Sequence, residues 1–187
     1  MPSKTTLFIY YGDEVGPMTK SFHISRLGLR DFHPEDLEQL VDIDQICFPE
    51  GIAYAKRDFR HFLRKKGSYV VLAEFNHRIV AFGITVTLRN QMHLVTLDVL
   101  PNFQGKKIGS LLLNHILNRA RLDKIERIDL EVAEDNSKAI RFYRSRGFRA
   151  VKRLKEYYAN NGDALLMTRN LSKPTSNWIL CFSKNSL

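Results

Sequence analysis

The amino-acid sequence predicts an α/β (α+β) protein in which a central, mixed and mostly antiparallel sheet of six to seven strands is flanked by about four helices. Two observations predict this class. Short stretches with the two-residue apolar period of strands occur together with four stretches of helical period. In the second half of the chain, a predicted helix also separates two strands, and such a crossover favours a parallel strand pair.

These elements occupy residues 25–171, which we expect to form one domain. A chain of 187 residues is long enough for one well-buried core and too short to predict two. Residues 1–24 are interpreted as an N-terminal extension and residues 172–187 as a C-terminal tail. The tail has one apolar cluster at 178–182, which could pack on the core or contact a partner.

The apolar segments of the chain are short. None approaches the roughly 20 residues of a membrane span, and residues 1–24 lack the apolar core of a secretory signal. We therefore expect a soluble, cytoplasmic protein that does not bind a membrane. Its two cysteines, Cys47 and Cys181, are expected to be free thiols, as is usual in a reducing cytoplasm.

The composition is basic, with 29 Lys and Arg against 20 Asp and Glu and a formal net charge of +9. This charge favours anionic ligands. The basic residues are scattered along the chain, so no direct nucleic-acid binding is expected. The cysteines and the six histidines form no cluster with the spacing of metal ligands, so no bound metal is expected.

The first half of the chain predicts a strand, two helices and an antiparallel meander of three strands. Residues 31–36 open the first helix and Phe48-Pro49 ends it, with Leu37, Leu40, Val41 and either Ile43 or Ile46 directed inward. The predicted elements are a strand at 24–30, this helix, a second helix over 54–65, and strands at 69–74, 79–87 and 93–100.

The second half predicts a long helix over 108–122 and then a strand at 125–132, which should be parallel to its predecessor in the sheet. The next helix, over 137–146, is preceded by Asp135 or Asn136 as a cap and followed by Gly147, which suits a left-handed terminal residue. Strands at 150–158 and 164–169 close the domain as a hairpin.

The stretch at 102–114, between a predicted strand and a predicted helix, has the features of an anion-binding site. Gly105 and Gly109 permit close backbone approach, and the first helical N–H groups have no acceptor within the helix. Lys106 and Lys107 each oppose the helix dipole by roughly 0.3–1 kcal/mol unless an anion lies between them. We therefore predict a di- or polyphosphate ligand, although an ordinary loop with solvated lysines would have the same composition.

Residues 104–109, Gln-Gly-Lys-Lys-Ile-Gly, resemble the acetyl-CoA pyrophosphate loop of the GNAT acetyltransferase superfamily, Gln/Arg-x-x-Gly-x-Gly/Ala, with Lys107 at the first motif glycine. The sequences at 97–101, 130–143 and 147–148 extend the resemblance to roughly residues 25–171. The chain is most similar to bacterial ribosomal-protein-alanine N-acetyltransferases and related protein N-terminal acetyltransferases. The resemblance implies the GNAT fold, with strands splayed at the acetyl-CoA site, and direct transfer of an acetyl group from acetyl-CoA to an amine.

Two catalytic residues are implied by the resemblance. Glu131 matches the general base that deprotonates the incoming ammonium through water, and Tyr143 matches the general acid at the coenzyme A sulfur. Strand alternation also directs Glu131 away from the apolar side chains on either side of it. As alternatives, Glu131 could be a solvated strand residue, and Tyr143 could belong to the apolar face of a helix.

The resemblance also implies the residues that bind acetyl-CoA. In this fold the acetyl carbonyl and the pantetheine arm pair with the backbone of the central strand, where the Val99 N–H is the expected donor to the developing oxyanion. Asp98 could be a second acid or base, or a structural residue, and Asn136 could both cap its helix and contact the cofactor. The complete expected set is Leu97, Asp98, Val99, Gln104, Gly105, Lys106, Lys107, Ile108, Gly109, Ser110, Asn136 and Tyr143.

The expected acceptor is a protein or peptide N-terminal α-amine, ribosomal proteins among the candidates. Tyr157 and Tyr158 resemble the tyrosine pair at the peptide entrance, and strand alternation would direct only one of them into the groove. The histidines, including His93 and His115, are interpreted as surface or core residues. Two other functions stay open: acetylation of a small-molecule amine, and a non-catalytic CoA-binding interaction module. We expect a monomer or a homodimer.

Overall fold

A seven-stranded sheet with four α-helices forms the described part of the protein, a computed structural model covering residues 26–48 and 52–171. The expected extension at 1–24 and the expected tail at 172–187, which includes Cys181, lie outside these residues. The helices and strands are β1 (Leu27–Asp31), α1 (Leu37–Cys47), α2 (Lys56–Arg64), β2 (Ser68–Phe75), β3 (Arg78–Leu88), β4 (Gln91–Val99), α3 (Ile108–Leu122), β5 (Arg127–Ala133), α4 (Ser137–Arg144), β6 (Arg149–Leu154) and β7 (Ala164–Asn170).

The strands are ordered β1-β2-β3-β4-β5-β7-β6 in space. Every neighbouring pair is antiparallel except β4 and β5, which are parallel, as the crossover helix α3 predicts. These two strands pair only over Gln91–His93 and Arg127–Asp129. Beyond His93 and Asp129 the two strands are no longer paired with each other, and we call the opening between them the β4–β5 gap. The predicted fold class is confirmed.

The helices cover the sheet on two faces. Leu112 and Ile116 of α3 share one core with Ile140 of α4, whereas Leu40 of α1 and Phe59 of α2 belong to a second core. Apolar side chains enter both cores from alternate strand positions. No helix within residues 26–48 and 52–171 is long and apolar enough to cross a membrane.

A β-bulge in β4 sets which of its side chains face each core. Leu94 pairs with Thr85 and Thr96 pairs with Ile84, so the intervening Val95 is an extra residue. After the bulge, Leu97 and Val99 join the core under α3 and α4. Thr96 and Asp98 therefore lie on the opposite face, towards α1.

Helix α1 resolves the choice between two isoleucines. A 3-10 turn at Pro34–Asp36 precedes it, and its inward side chains include Leu40 and Val41. Ile43 is buried, whereas Ile46 is 53% exposed. Three positions along a helix leave the two isoleucines about 60° apart around its axis, so Ile43 lies within the buried stripe and Ile46 at its exposed margin.

Two predicted boundaries were wrong in the last third of the chain. Helix α4 ends at Arg144, because residues 145–147 form a turn in which Gly147 has a φ of +83°. Strand β6 ends at Leu154, so Tyr157 and Tyr158 lie in the β6–β7 loop. Both tyrosine N–H groups donate to the carbonyl oxygen of Gly162, at 2.9 and 3.0 Å. The expected strand alternation of the two rings therefore does not apply.

Candidate active site

A cavity of about 210 Å³ opens at the C-terminal end of β4, between the loop that precedes α3 and the inner side of α4. Nine of its twelve lining residues belong to the set expected from sequence. The lining residues are Leu97, Val99, Phe103, Gln104, Gly105, Lys107, Ile108, Gly109, Ser110, Lys138, Phe142 and Tyr143.

The loop before α3 fits an anionic ligand. Gly105 has a φ of +74° and Lys107 a φ of +64°, so the chain makes a tight turn that ends with the unpaired N–H groups of the first turn of α3. The side-chain amide of Gln104 donates to the Val99 carbonyl at 3.0 Å and ties the loop to β4. Lys106 is directed elsewhere, since its ammonium donates to the Asn102 carbonyl at 2.7 Å.

The backbone of β4 presents polar groups to the β4–β5 gap. The Leu100 N–H donates to the Val80 carbonyl at 3.0 Å, which fixes the position of the hydrogen bonds between β3 and β4. Because such bonds alternate along an antiparallel pair, the N–H and C=O groups of Leu97 and Val99 point away from β3. These backbone groups face the β4–β5 gap, where pairing with β5 has ended. The expected donor to an acyl oxygen, the Val99 N–H, is therefore directed into the gap.

Tyr143 is buried and lines the cavity from α4. Burial, and then the negative charge of Asp98, raise the pKa of its phenol above the ordinary value of about 10. The phenol is therefore protonated throughout the physiological range and can donate a hydrogen bond into the cavity. Its ring makes edge contacts with Phe142 and Phe148 at centroid distances of 5.1 and 5.6 Å.

Arg146 and Lys138 belong to this site but were missed from sequence. The guanidinium carbon of Arg146 lies 3.7 Å from the Phe142 ring centroid, and its Nη2 donates to the Ser110 hydroxyl. Arg146 thus holds together two cavity residues from different helices. Lys138, on the first turn of α4, adds a second cation to the lining. The spacing of four residues between Phe142 and Arg146 could have predicted their contact from the sequence. The contact of Arg146 with Ser110 could not be predicted, because it depends on how α3 and α4 pack.

Glu131 lies on the other face of the sheet and contacts His93. The distance from Glu131 Oε2 to His93 Nε2 is 3.3 Å. His93 is the last β4 residue paired with β5, opposite Asp129, so Glu131 follows the point where the strands diverge. The sequence indicates a core or surface position for His93 and does not predict this contact. The parallel register that joins His93 to Glu131 has no local signal in the sequence.

Asp98 is buried on the α1 face and accepts a hydrogen bond from the Thr96 hydroxyl. It lies outside the cavity lining. Burial, and then the charges of Asp98 and Asp44, raise the pKa of the nearby Cys47 thiol, which donates to the Val99 carbonyl at 3.4 Å. These surroundings support the interpretation of Asp98 as a structural residue, whose negative charge helps to raise the pKa values of Tyr143 and Cys47.

The tyrosines of the β6–β7 loop lie on the Glu131 face of β5. Tyr158 is buried against Ala133 and Ala164, with Tyr157 packed beside it at a ring-centroid distance of 5.2 Å. Ala133 is two residues from Glu131, so both side chains project from the same face. The structure thus brings the expected acceptor-side tyrosines and the expected base to one side of the sheet.

Asn136 caps α4, as its sequence position predicts. Its side-chain oxygen accepts a hydrogen bond from the Ala139 N–H at 2.9 Å. It is buried and does not line the cavity. The cap fixes the start of the helix that carries Tyr143. Within the described ranges, no group of three His, Cys, Asp or Glu side chains could hold a metal ion.

The arrangement can support acyl transfer between two ligands that enter from opposite faces. The cavity under α3 and α4 offers backbone donors, two lysines and a phenol, whereas the α1 face offers a carboxylate beside an imidazole. The β4–β5 gap connects the two faces. A thioester bound in the cavity and an amine near Glu131 would therefore meet at this gap.

Comparison with known proteins identifies the family. The sequence profile described as "Acetyltransferase (GNAT) family" matches residues 37–148. The chain is 29% identical over 158 residues to N-alpha-acetyltransferase 50 of Danio rerio, covering 80% of this chain and 91% of that protein. It is 30% identical over 156 residues to an N-alpha-acetyltransferase of Saccharolobus solfataricus, covering 76% and 92%.

Among solved structures, the ribosomal-protein-S18-alanine N-acetyltransferase of Escherichia coli has the same fold. Its TM-score is 0.73 at 22% sequence identity, with 81% of this chain and 98% of that chain covered. The profile match spans more than half of the 187 residues, and the structure has the sheet order and the open strand pair described above. The chain belongs to the GNAT acetyltransferase family and is an acetyl-CoA-dependent acyltransferase.

Proposed function

We propose that this enzyme acetylates the N-terminal α-amine of a protein or peptide by direct transfer from acetyl-CoA. The observation that carries the proposal is the position of Glu131 and His93 on the face of the sheet opposite the cavity, at the β4–β5 gap. The names of the sequence relatives point to the same class of acceptor.

On the donor side, the chain's residues bind and orient the thioester. Acetyl-CoA supplies an activated acetyl group. The loop from Gln104 to Ser110 would hold its phosphates at the N-terminus of α3, with Lys107 and Lys138 as counter-charges. The N–H of Val99, directed into the gap, would donate to the acetyl oxygen as it gains negative charge.

On the acceptor side, Glu131 would take the proton of the ammonium, directly or through one water, with His93 in contact. At pH 7 neutralising an α-amine of pKa near 8 costs about 1.4 kcal/mol, whereas a lysine of pKa near 10.4 costs about 4.6 kcal/mol. A carboxylate and an imidazole are better matched to deprotonation of the α-amine, which has the smaller free-energy cost. The amine nitrogen then bonds to the acetyl carbon, the carbon–sulfur bond breaks, and coenzyme A leaves as the thiolate.

The loop tyrosines would bind the peptide. Tyr157 is partly exposed beside the buried Tyr158, so its ring can cover the first residues of an extended acceptor. Arg153 holds this loop through Glu134 at 2.7 Å and Asp163 at 2.9 Å. Ribosomal proteins are included in the proposed acceptor class, the proposed compartment is the cytoplasm, and the proposed assembly is a monomer or homodimer.

The proposal is tested by acetyl-CoA turnover against a panel of short peptides with varied N-termini, using N-terminally blocked peptides and free small-molecule amines as controls. Turnover with a subset of the free N-termini is expected, together with its loss in the Glu131→Gln variant. Turnover confined to small amines would replace the proposal with the small-molecule function. Acetyl-CoA binding without turnover of any amine would favour a non-catalytic module.

A further inference from the structure

Helix α2 concentrates much of the net charge of the protein on one exposed surface. Residues 56–66 contain six Lys and Arg and a single acid, a net charge of +5 within a chain of +9. In the sequence these cations alternate with Phe59, Phe62 and Leu63. The fold separates the two kinds of side chain, because both phenylalanines are buried against the sheet and the cations face outward.

We name the exposed side chains of Arg57, Arg60, Arg64, Lys65 and Lys66 the α2 basic face. The three arginines occupy positions i, i+3 and i+7, so they form one row about 10 Å long on the outer side of the helix. Lys65 and Lys66 extend the row into the turn that follows. The row is fixed from beneath, since Phe59 is fully buried against Phe82 of β3 and Phe62 against Tyr54.

The acid within α2 does not neutralise this row. One carboxylate oxygen of Asp58 accepts the Ala55 N–H at 3.0 Å, and the other lies 3.8 Å from Arg57 Nε. The nearby Glu38 is paired with Lys56. Across the described ranges, no carboxylate lies within ion-pair distance of Arg60, Arg64, Lys65 or Lys66.

A further cation lies near the end of this row. The Thr87 N–H donates to the Gly67 carbonyl at 2.9 Å, which joins the turn after α2 to the β3–β4 turn and to the exposed Arg89 within it. These turns lie at the N-terminal end of β4, whereas the cavity lies at its C-terminal end. A ligand on the α2 basic face would therefore leave the acetyl-CoA cavity open.

We propose, in contrast to the expectation from the sequence, that the α2 basic face binds the phosphate backbone of single-stranded RNA. Arg60 and Arg64, which have no carboxylate partner among the described residues, match a chain of phosphates, because the guanidinium fork binds phosphate in bidentate fashion. A membrane surface fits less well, since the outer side of α2 exposes no large apolar side chain, and the one exposed Leu88 beside Arg89 offers little area to insert among lipids. The choice of RNA rests on the proposed function, because the proposed acceptors include ribosomal proteins, which are themselves bound to RNA.

The test measures binding of the full chain to a fluorescein-labelled oligouridylate of about 20 nucleotides, longer than the roughly 4–16 nucleotides of a typical single-strand site. Fluorescence anisotropy is recorded over a series of salt concentrations. No acetyl-CoA or acceptor is present, so the outcome is independent of the acetyl-transfer reaction. Binding that weakens steeply with salt is expected, with a slope of about −0.7 for each phosphate contacted.

The decisive variant is Arg60→Gln/Arg64→Gln/Lys65→Gln, and its matched control is Arg144→Gln/Arg149→Gln/Lys152→Gln, which removes three exposed cations near the opposite edge of the sheet. The α2 variant should bind about tenfold or more weakly, with a salt slope shallower by about 2. The control should change affinity less than about threefold. Should the triple variant unfold early, single Arg60→Gln and Arg64→Gln variants replace it, each expected to lower the slope by about 0.7.

Three results would overturn the proposal. The first is the absence of binding to the oligouridylate at low salt. The second is an equal loss of affinity in the α2 variant and in its control, which would show that only net charge matters. The third is equal or tighter binding to oligodeoxythymidylate, polyglutamate or phosphatidylserine vesicles, which would assign the surface to another polyanion.

Discussion

Tyr143 is the residue whose environment constrains the chemistry most. Its phenol is buried with a raised pKa, whereas an ordinary thiol has a pKa near 8.5. Moving the phenol proton completely to a departing thiolate would therefore cost at least about 2 kcal/mol. Donating a hydrogen bond to the sulfur avoids this cost. We expect Tyr143 to stabilise the leaving group by hydrogen bonding, with the proton reaching the thiolate after release.

The Tyr143→Phe variant tests this role. A hydrogen bond to a charged group contributes about 1.5–3 kcal/mol, so kcat should fall about 10–100-fold while the Kd for acetyl-CoA changes less than about twofold. Because its pKa is raised, ionisation of Tyr143 should not lower kcat anywhere below about pH 10. Steady-state kinetics and calorimetry supply the two measurements.

A suitable control is Tyr69→Phe, since Tyr69 contacts His115 outside the cavity. The control should keep the kcat of the unmodified enzyme. A Tyr143→Phe enzyme with unchanged kcat would show that the phenol does not act on the leaving group.

Lys107 occupies a left-handed conformation that costs a non-glycine residue about 1–2 kcal/mol. Its side chain borders the cavity, so the cation should compensate by attracting the cofactor phosphates. Lys107→Gly should weaken acetyl-CoA binding about 3–10-fold at low salt, with little difference at high salt, because the charge contribution is screened. Isothermal titration calorimetry at low and at high salt measures the acetyl-CoA affinity of the variant and of the unmodified enzyme.

Lys124→Gly is the matched control for this variant. Lys124 has a φ of +55° at the other end of α3, outside the cavity lining. The control relieves a similar backbone strain without removing charge from the site, so its acetyl-CoA affinity should be unchanged. Equal affinity of the Lys107→Gly variant and the unmodified enzyme would remove Lys107 from the phosphate site.

At the scale of elements, one ion pair joins β1 to the start of α1. The guanidinium of Arg30 binds both oxygens of Asp36, at 2.7 and 2.8 Å, and also binds Glu74 of β2 at 2.8 Å. Asp36 in turn accepts the His33 N–H at 2.8 Å. The Arg30 hydrogen bonds hold the pKa of Asp36 below its ordinary value. The junction therefore depends on the ionised carboxylate.

Asp36→Asn should lower the free energy of unfolding by about 1–3 kcal/mol at pH 7. A carboxyl whose pKa is depressed by folding stabilises the protein above its unfolded pKa, about 3.9, and loses this contribution as pH falls through the folded value. The difference between the two proteins should thus be constant above about pH 5 and shrink below about pH 4. Urea unfolding over a pH series measures it. Asp42→Asn, at an exposed position of α1, should have little effect, and a difference at pH 3 as large as that at pH 7 would contradict this account.

Much of this element-level organisation could be predicted from sequence, because it depends on local signals. Helix α3 has the predicted limits, and Asn136 caps α4 as its position suggested. The contact between His93 and Glu131 could not be predicted, since it depends on a three-residue parallel register. Tyr157 and Tyr158 were placed in a strand because their β-propensity is high, but hydrogen bonds to the Gly162 carbonyl hold them in a loop. The first of these contacts depends on pairing between distant segments, and the second on a loop conformation that strand propensity does not specify.

At the scale of the whole molecule, the β4–β5 gap relates the two halves of the site. The residues proposed to bind acetyl-CoA lie under α3 and α4, and the proposed proton acceptors, Glu131 and His93, lie on the α1 face. The resemblance predicted the splayed strands, and the structure shows where their pairing ends. In the proposed function, the choice of acceptor therefore depends on the Glu131 face and the β6–β7 loop, whereas cofactor binding depends on the opposite face.

The most direct test of the central claim uses one peptide with a free N-terminal α-amine and an internal lysine. After incubation with the enzyme and acetyl-CoA, tandem mass spectrometry locates the added acetyl group. The account predicts acetylation of the α-amine, because its deprotonation costs less free energy than that of the lysine side chain. It also predicts that the Glu131→Gln variant loses this activity, because the proposed proton acceptor is removed. Acetyl groups found only on the lysine side chain would contradict it.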